Sequence, residues 1–437
     1  MAVRIWILAS VLAVSLSPLA PALAGDYSGD MATVREFLDT DQSYSQEERA
    51  QAVAELKKLE ARASDMSLAA FQLAVAHIAA LSGNGHTMLL PGVWPYQFNR
   101  TPLEYYAFAG GLFVVHAPPE MRELLGARVT AIEGRSVEEL TEAFGRYFGA
   151  RSGKRDEWVG FFLESPAILH AAGLAGSEDR LDVQFELANG STITRTLPGA
   201  LDPPKGEMFD FLDSSRLVTL AAENIAAPGS IPLYLGEPDR AFRMAPLPEI
   251  DAEYIQLRLN KSFYEQKIET FLASARTTLE KTKPRNVVVD LRQDGGGDLN
   301  TTRAFMQALP SLVAADGRIF VLTSGRTFSA GIASAGYLEQ AAPTRVTIVG
   351  EPVGDYLEFW AEGGLMQLPV SKAVLLPATE RHNYTTGCPE PDCHIFISEN
   401  PIRIRSLEPD IAAPLTYADY RAGRDPALAA VYEALGR

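Results

Sequence analysis

The chain has 437 residues, 47% of them apolar, with 34 glycines and 28 prolines spread along its length, enough to bury the cores of two or three domains. A formal charge of -16 argues against nucleic acid or an anionic membrane surface as a partner. Two cysteines in all exclude a small disulfide-framework fold.

Arg4 precedes an apolar run from Ile5 to Leu19, and Ala22-Leu23-Ala24 has the small-x-small pattern of a cleavage site, so residues 1–24 read as a secretory signal peptide. The run is too short and too proline-interrupted to span a bilayer, and no cysteine follows the cleavage site to carry a lipid. The expectation is a periplasmic or secreted protein with no membrane anchor after cleavage. Residues 25–92 form the first unit. Glu47 to Ala63 has apolar residues at three- and four-residue spacing, and Leu68 to Leu81 is an almost wholly apolar helix stopped by the turn Ser82-Gly83-Asn84-Gly85. His86 comes directly after that turn, where a lone histidine is ordinarily a surface or capping residue.

Residues 93–200 turn β-rich. Gly111–Val115 and Ala127–Ile132 read as strands, Val137–Phe148 and Asp156–Gly173 as helices, and Leu181–Leu187 with Thr192–Leu197 as a hairpin around Ala188-Asn189-Gly190-Ser191. Prolines 203, 204, 228 and 232 punctuate 201–250, which reads as linker and peripheral strands. Residues 251–437 then repeat strand and helix: a strand at Ala252–Leu259, a helix at Phe263–Lys281, buried strands at Val287–Val289 and Ile319–Leu322, and a closing helix at Pro426–Leu435. This predicts α/β layering.

The chemistry-bearing residues cluster between Asn286 and Ala335. Gly295, Gly296 and Gly297 allow positive φ and close approach of the backbone to a ligand. Ser329 stands at the start of a helical run, facing that turn. A serine there is either an N-cap or a nucleophile beside free backbone N–H groups that could hold an oxyanion. In Gly-Cys388-Pro-Glu-Pro-Asp-Cys393-His394, the two cysteines of an exported chain read as a short disulfide loop; with His394 and His382 nearby a metal site is the alternative, at a spacing that fits known ligand sets poorly.

Asp290-Leu291-Arg292, Gly296-Gly297, Thr327-Phe328-Ser329-Ala330, Ile348-Val349-Gly350-Glu351-Pro352 and Glu408-Pro409-Asp410-Ile411 occur in an order that resembles the C-terminal processing (tail-specific) protease family and its tricorn-core relatives. The resemblance implies a crotonase/ClpP-like core of β-β-α units behind an N-terminal helical cap. Between them, residues 124–140 resemble the core of a PDZ-like domain, here degenerate. It further implies an exported serine peptidase with Ser329 as nucleophile, the N–H groups of Ala330 and of Gly296 or Gly297 as oxyanion hole, no metal or cofactor, and a peptide or unfolded protein as substrate. Family members with a Ser-Lys dyad place the lysine at the end of a Gly-Glu-Pro-x-x-Gly-Lys turn, and this chain has Asp355 there. Gly85-His86-Thr87 resembles the histidine element of the Ser-His branch, although Gly85 stands where those relatives have serine. His86 is therefore the expected base. Asp355, Glu358 and Glu362 are candidates to orient it, with Glu362 ranked first from its place in Trp360-Ala361-Glu362-Gly363. A binding protein of the same fold, carrying an apolar ligand or a peptide, is the rival expectation. Oligomeric state is not legible.

Overall fold

The computed structural model describes residues 25–200 and 231–437. The leader reading, and the part of the linker reading that covers 201–230, lie outside the described residues. The chain is a mixed α/β structure of several sheets and helices, and no helix among the described residues is long and apolar enough to cross a membrane.

Three helices open it, Met31–Thr40, Gln46–Glu60 and Leu68–Ala80. The second starts where Ser45 and Glu48 form a reciprocal capping box, and the third, apolar on nearly every face, is buried on most of them. The β-rich stretch forms an antiparallel sheet in the order Glu104–Phe108, Gly111–His116, Arg128–Ile132, Arg180–Glu186, Thr192–Pro198. The helix expected over 156–173 is two, Ser152–Leu163 and Pro166–Ala171. Pro166 has no N–H to continue the first, and Ser165 caps the second by accepting the Ile168 N–H.

The C-terminal half is built on a six-stranded sheet in the order Ile411–Ala412, Val346–Gly350, Ile319–Thr323, Asn286–Asp290, Ala252–Leu257, Phe242–Leu247. All neighbours are parallel except the last pair. Both faces are covered, so the strands are continuous apolar runs rather than alternating ones. Val287 and Val289 pack toward the helices Ile268–Thr282, Leu299–Leu312 and Ala330–Ala341. Val288 packs on the other side with Phe320, Leu322 and Val431 of the helix Pro426–Ala434. The helix expected from Phe263 begins at Ile268, because Phe263 and Gln266 first close a turn on each other.

One excursion has no counterpart in the sequence pattern. Val374–Leu376 leaves the second half of the chain and pairs antiparallel with Met88–Leu89, and Leu368, Ala373, Val374 and Leu375 join the core of the N-terminal helices. Buried Asp30 fastens this segment by accepting the N–H groups of Val370 and Ser371.

Cys388 and Cys393 are bonded to each other, so their sulfurs are not thiolate ligands, although Glu390 lies close to both. A loop this short contributes toward the lower end of the roughly 2–4 kcal/mol typical of disulfides. Mass spectrometry of unreduced protein should show this pair linked, and dithiothreitol should lower the unfolding midpoint by only a few degrees; two free thiols in freshly prepared material would contradict it.

Candidate active site

In parallel α/β sheets the crevice outside the carboxyl ends of the strands is the usual ligand site. Here the ends of Asn286–Asp290 and Ile319–Thr323 carry the glycine turn and the serine loop. The two are sewn together. Thr327 Oγ1 donates to the Leu291 carbonyl (2.8 Å), Ser324 Oγ donates to the Arg292 carbonyl (2.7 Å), and the Phe328 N–H donates to the Asp294 carbonyl (3.0 Å).

Held this way, Ser329 adopts φ 52°, ψ -122°, a conformation side-chain-bearing residues rarely occupy. Such a conformation costs on the order of 1–3 kcal/mol and persists where surrounding contacts over-determine it. Its carbonyl accepts the Ile332 N–H and so starts the helix Ala330–Ala341. Its side chain makes no capping bond. Ser329 is thus half-buried at a strained strand-to-helix turn.

Opposite lies Gly296 at φ 109°, where a Cβ would come 2.7 Å from Ser329 Cβ and 3.2 Å from its Oγ. Only glycine can pass this close. Of the three expected oxyanion donors, Gly296 is engaged: its N–H donates to Asp294 Oδ1 at 3.0 Å. The N–H groups of Gly297 and Ala330 have no hydrogen-bond partner among the described residues. Asp294 is fully buried and its Oδ2 has no partner. Burial pushes its carboxyl well above the usual range, against the smaller opposing pull of the Gly296 N–H. The folded protein therefore keeps this acid protonated where the unfolded chain, with an aspartate pKa of about 3.9, has ionised it. Stability from this residue is full below about pH 4 and is lost as pH rises. Asp294→Asn, which keeps an oxygen for Gly296, should match the wild-type melting temperature near pH 4 and exceed it at neutral pH; a gap that shrinks with rising pH would contradict this.

His86 arrives from the other half of the molecule on a pinned loop. Asn84 exchanges hydrogen bonds with the backbone of Trp360 (3.0 and 3.1 Å). Thr87 Oγ1 donates to Asp41 Oδ2 (2.8 Å), which also accepts the Ala378 N–H. The imidazole stacks between Phe328, at 4.2 Å, and Phe359, at 4.9 Å. Phe328 belongs to the serine loop, so His86 packs against the loop that carries Ser329. Neither ring nitrogen makes a hydrogen bond, and no Ser329–His86 bond is formed in this state.

Among the three acids, the one against His86 is Asp355, with Oδ2 3.2 Å from Nδ1. It is buried, its Oδ1 accepts the Tyr356 N–H, and Arg151 donates to its carbonyl. Glu362 lies instead 3.4 Å from His382 Nε2, and Glu358 3.5 Å from Arg381. The strand Glu358–Glu362 turns Phe359 and Ala361 inward and leaves both glutamates on the exposed side. The His382 imidazole beside it lowers the Glu362 carboxyl, while burial lowers the His382 imidazole. Lys372 is exposed and donates to the Pro369 carbonyl.

Gly85 has a role here. A Cβ on it would meet Asp355 Oδ2 at 2.7 Å, so the acid occupies the space that a side chain before the histidine would need. Gly85→Ser should displace the Asp355 carboxylate while the protein still folds and, with His86 as the base that Asp355 supports, lower kcat roughly 10- to 100-fold. Unchanged kcat would show that the carboxylate's place is not needed.

Lys154 was not marked by the sequence. It sits in the first turn of Ser152–Leu163, buried, 2.6 Å from Glu157 and 4.4 Å from the Phe328 ring centre. Burial lowers its ammonium pKa against the pull of Glu157. No sequence signal marked it: a Cβ on Gly325 would lie 2.4 Å from the Gly153 carbonyl, so this helix start rests directly on the serine loop only once the chain is folded.

No family model and no curated protein matches the sequence. Among solved structures, mature CPAF complexed with lactacystin superposes with a TM-score of 0.57 at 11% identity, covering 94% of this chain and 97% of that one. A second structure of mature CPAF gives 0.55 at 12% identity, over 94% and 95%. Across nearly its whole length, this chain has the fold of mature CPAF.

Proposed function

We propose that the protein is an exported serine peptidase of the C-terminal processing type. The observation that carries this reading is Ser329 itself, strained and uncapped across from Gly296 at the carboxyl ends of parallel strands. Ser329 Oγ attacks the scissile carbonyl carbon while His86 takes its proton, and the oxyanion is received by the N–H groups of Gly297 and Ala330. The C–N bond then breaks, His86 returns the proton to the leaving amine, and water hydrolyses the acyl-serine by the same route reversed. Asp355, beside Nδ1, stabilises the imidazolium formed at each step. The absent Ser329–His86 bond is compatible with this, since catalytic hydrogen bonds in free enzymes are often long and tighten on substrate. In this reading 1–24 is a cleaved leader, 25–92 a helical cap, 93–200 a PDZ-like module and 251–437 a crotonase/ClpP-like core.

That same missing bond favours the rival reading, a non-catalytic binder of peptide or apolar ligand. A serine-reactive phosphonate applied to the purified protein separates them. Stoichiometric labelling at Ser329 supports the peptidase, and no labelling at any serine supports the binder.

A further inference from the structure

His86 is held in an unusual way for a base. Its edge makes no hydrogen bond, with Asp355 Oδ2 3.2 Å from Nδ1, and its faces are packed against rings. Phe328 and Phe359 both stack on it, the latter nearly parallel at 7°. Phe359 stacks in turn on His382 (4.8 Å, 14°), and His382 on His394 (5.3 Å, 16°). Four nearly parallel rings thus run from His86 to the residue adjoining the disulfide.

The inner members of this column are locked. Phe359 and His382 are buried. His382 Nδ1 lies 3.1 Å from the hydroxyl of fully buried Tyr384, and its Nε2 faces Glu362. The outer member is locked through the backbone: the His394 N–H donates to the Arg381 carbonyl, and the Arg381 N–H donates to the Asp392 carbonyl, on either side of disulfide-bonded Cys393.

Contacts on its faces forbid a ring to tilt but let it slide and turn in its own plane. As a base His86 must bring Nε2 to Ser329 Oγ while Nδ1 stays beside Asp355, and a motion in its own plane leaves the stacking intact. We propose that His382 is a positioning residue for His86, backing Phe359 so that the imidazole is confined to the one plane from which it can reach Ser329, with Glu362 serving to hold His382. The proposal rests on His86 being the base.

The test compares His382→Ala, His382→Phe and His86→Ala in the full chain, with melting temperatures to establish that each folds. A tilted base misplaced by an ångström costs about 10²-fold. His382→Ala should therefore lower kcat roughly 10- to 100-fold with KM within about twofold, and slow phosphonate labelling of Ser329 in parallel. His382→Phe restores a flat ring without the Glu362 contact, and should recover most of the lost kcat. In the His86→Ala background, His382→Ala should lower the residual rate no further, because a group acting through the base has nothing left to act on. A Phe variant as impaired as Ala, an unaffected kcat in a folded Ala variant, or a further loss in the double variant would each overturn the proposal. Full activity of His86→Ala alone would instead overturn the base assignment beneath it.

Discussion

Ser329→Ala should abolish both phosphonate labelling and peptide hydrolysis, with a loss on the order of 10⁶-fold, as removal of a triad serine gives. The melting temperature should scarcely move. Ser329 Oγ makes no capping bond that its removal would break, and alanine inherits the same backbone strain that the loop bonds already sustain. The neighbouring serines offer no substitute. Ser324 Oγ donates to the Arg292 carbonyl, and buried Ser334 Oγ is shared among Thr302, Asn260 and the Ala330 carbonyl. Label recovered on either of them would refute the assignment.

His86→Ala should lower kcat by several orders of magnitude, whereas Lys372→Ala should keep most of it, since Lys372 is exposed and tied to the Pro369 carbonyl. Lys154 is the more serious competitor, being buried beside the Phe328 ring. A lysine accepts a proton only as the free amine, which burial favours here against the opposing pull of the Glu157 carboxylate at 2.6 Å. With His86 as the base, Lys154→Met should retain turnover within about 100-fold of wild type, a loss that loosening the serine loop alone could cause. If the histidine variant works and a lysine variant is dead, the chain is a displaced dyad enzyme and His86 has another task.

What the sequence disclosed follows from local physics. Three β-branched residues at 287–289 cannot avoid reading as a buried strand, and a serine after a strand and before small helical residues defines a turn whatever the rest of the chain does. The acid beside His86 was not legible in the same way. Asp355, Glu358 and Glu362 are within eight positions of one another, and which one reaches the imidazole depends on a turn of strand that sends Phe359 inward and the glutamates outward. Nor could the pattern disclose that Val374–Leu376 crosses to pair with Met88–Leu89, because a three-residue apolar strand carries no address. The Gly296 N–H illustrates a third limit: the glycine turn was legible and its N–H groups were expected as oxyanion donors, but not that Asp294 claims one of them.

The two proposed partners in proton transfer belong to different hydrophobic cores. His86 stands on a loop of the N-terminal helices, whose core extends to Leu368 and Leu375, while Ser329 heads a helix packed in the core of the C-terminal sheet. More than two hundred residues separate them along the chain. On the proposed reading, a nascent polypeptide presents its base long before its nucleophile, and a C-terminal half on its own would hold a serine with no acceptor for its proton. Proteolytic competence would then belong to the docked whole: the chain could not cut its neighbours, or itself, until both halves are built and closed on each other.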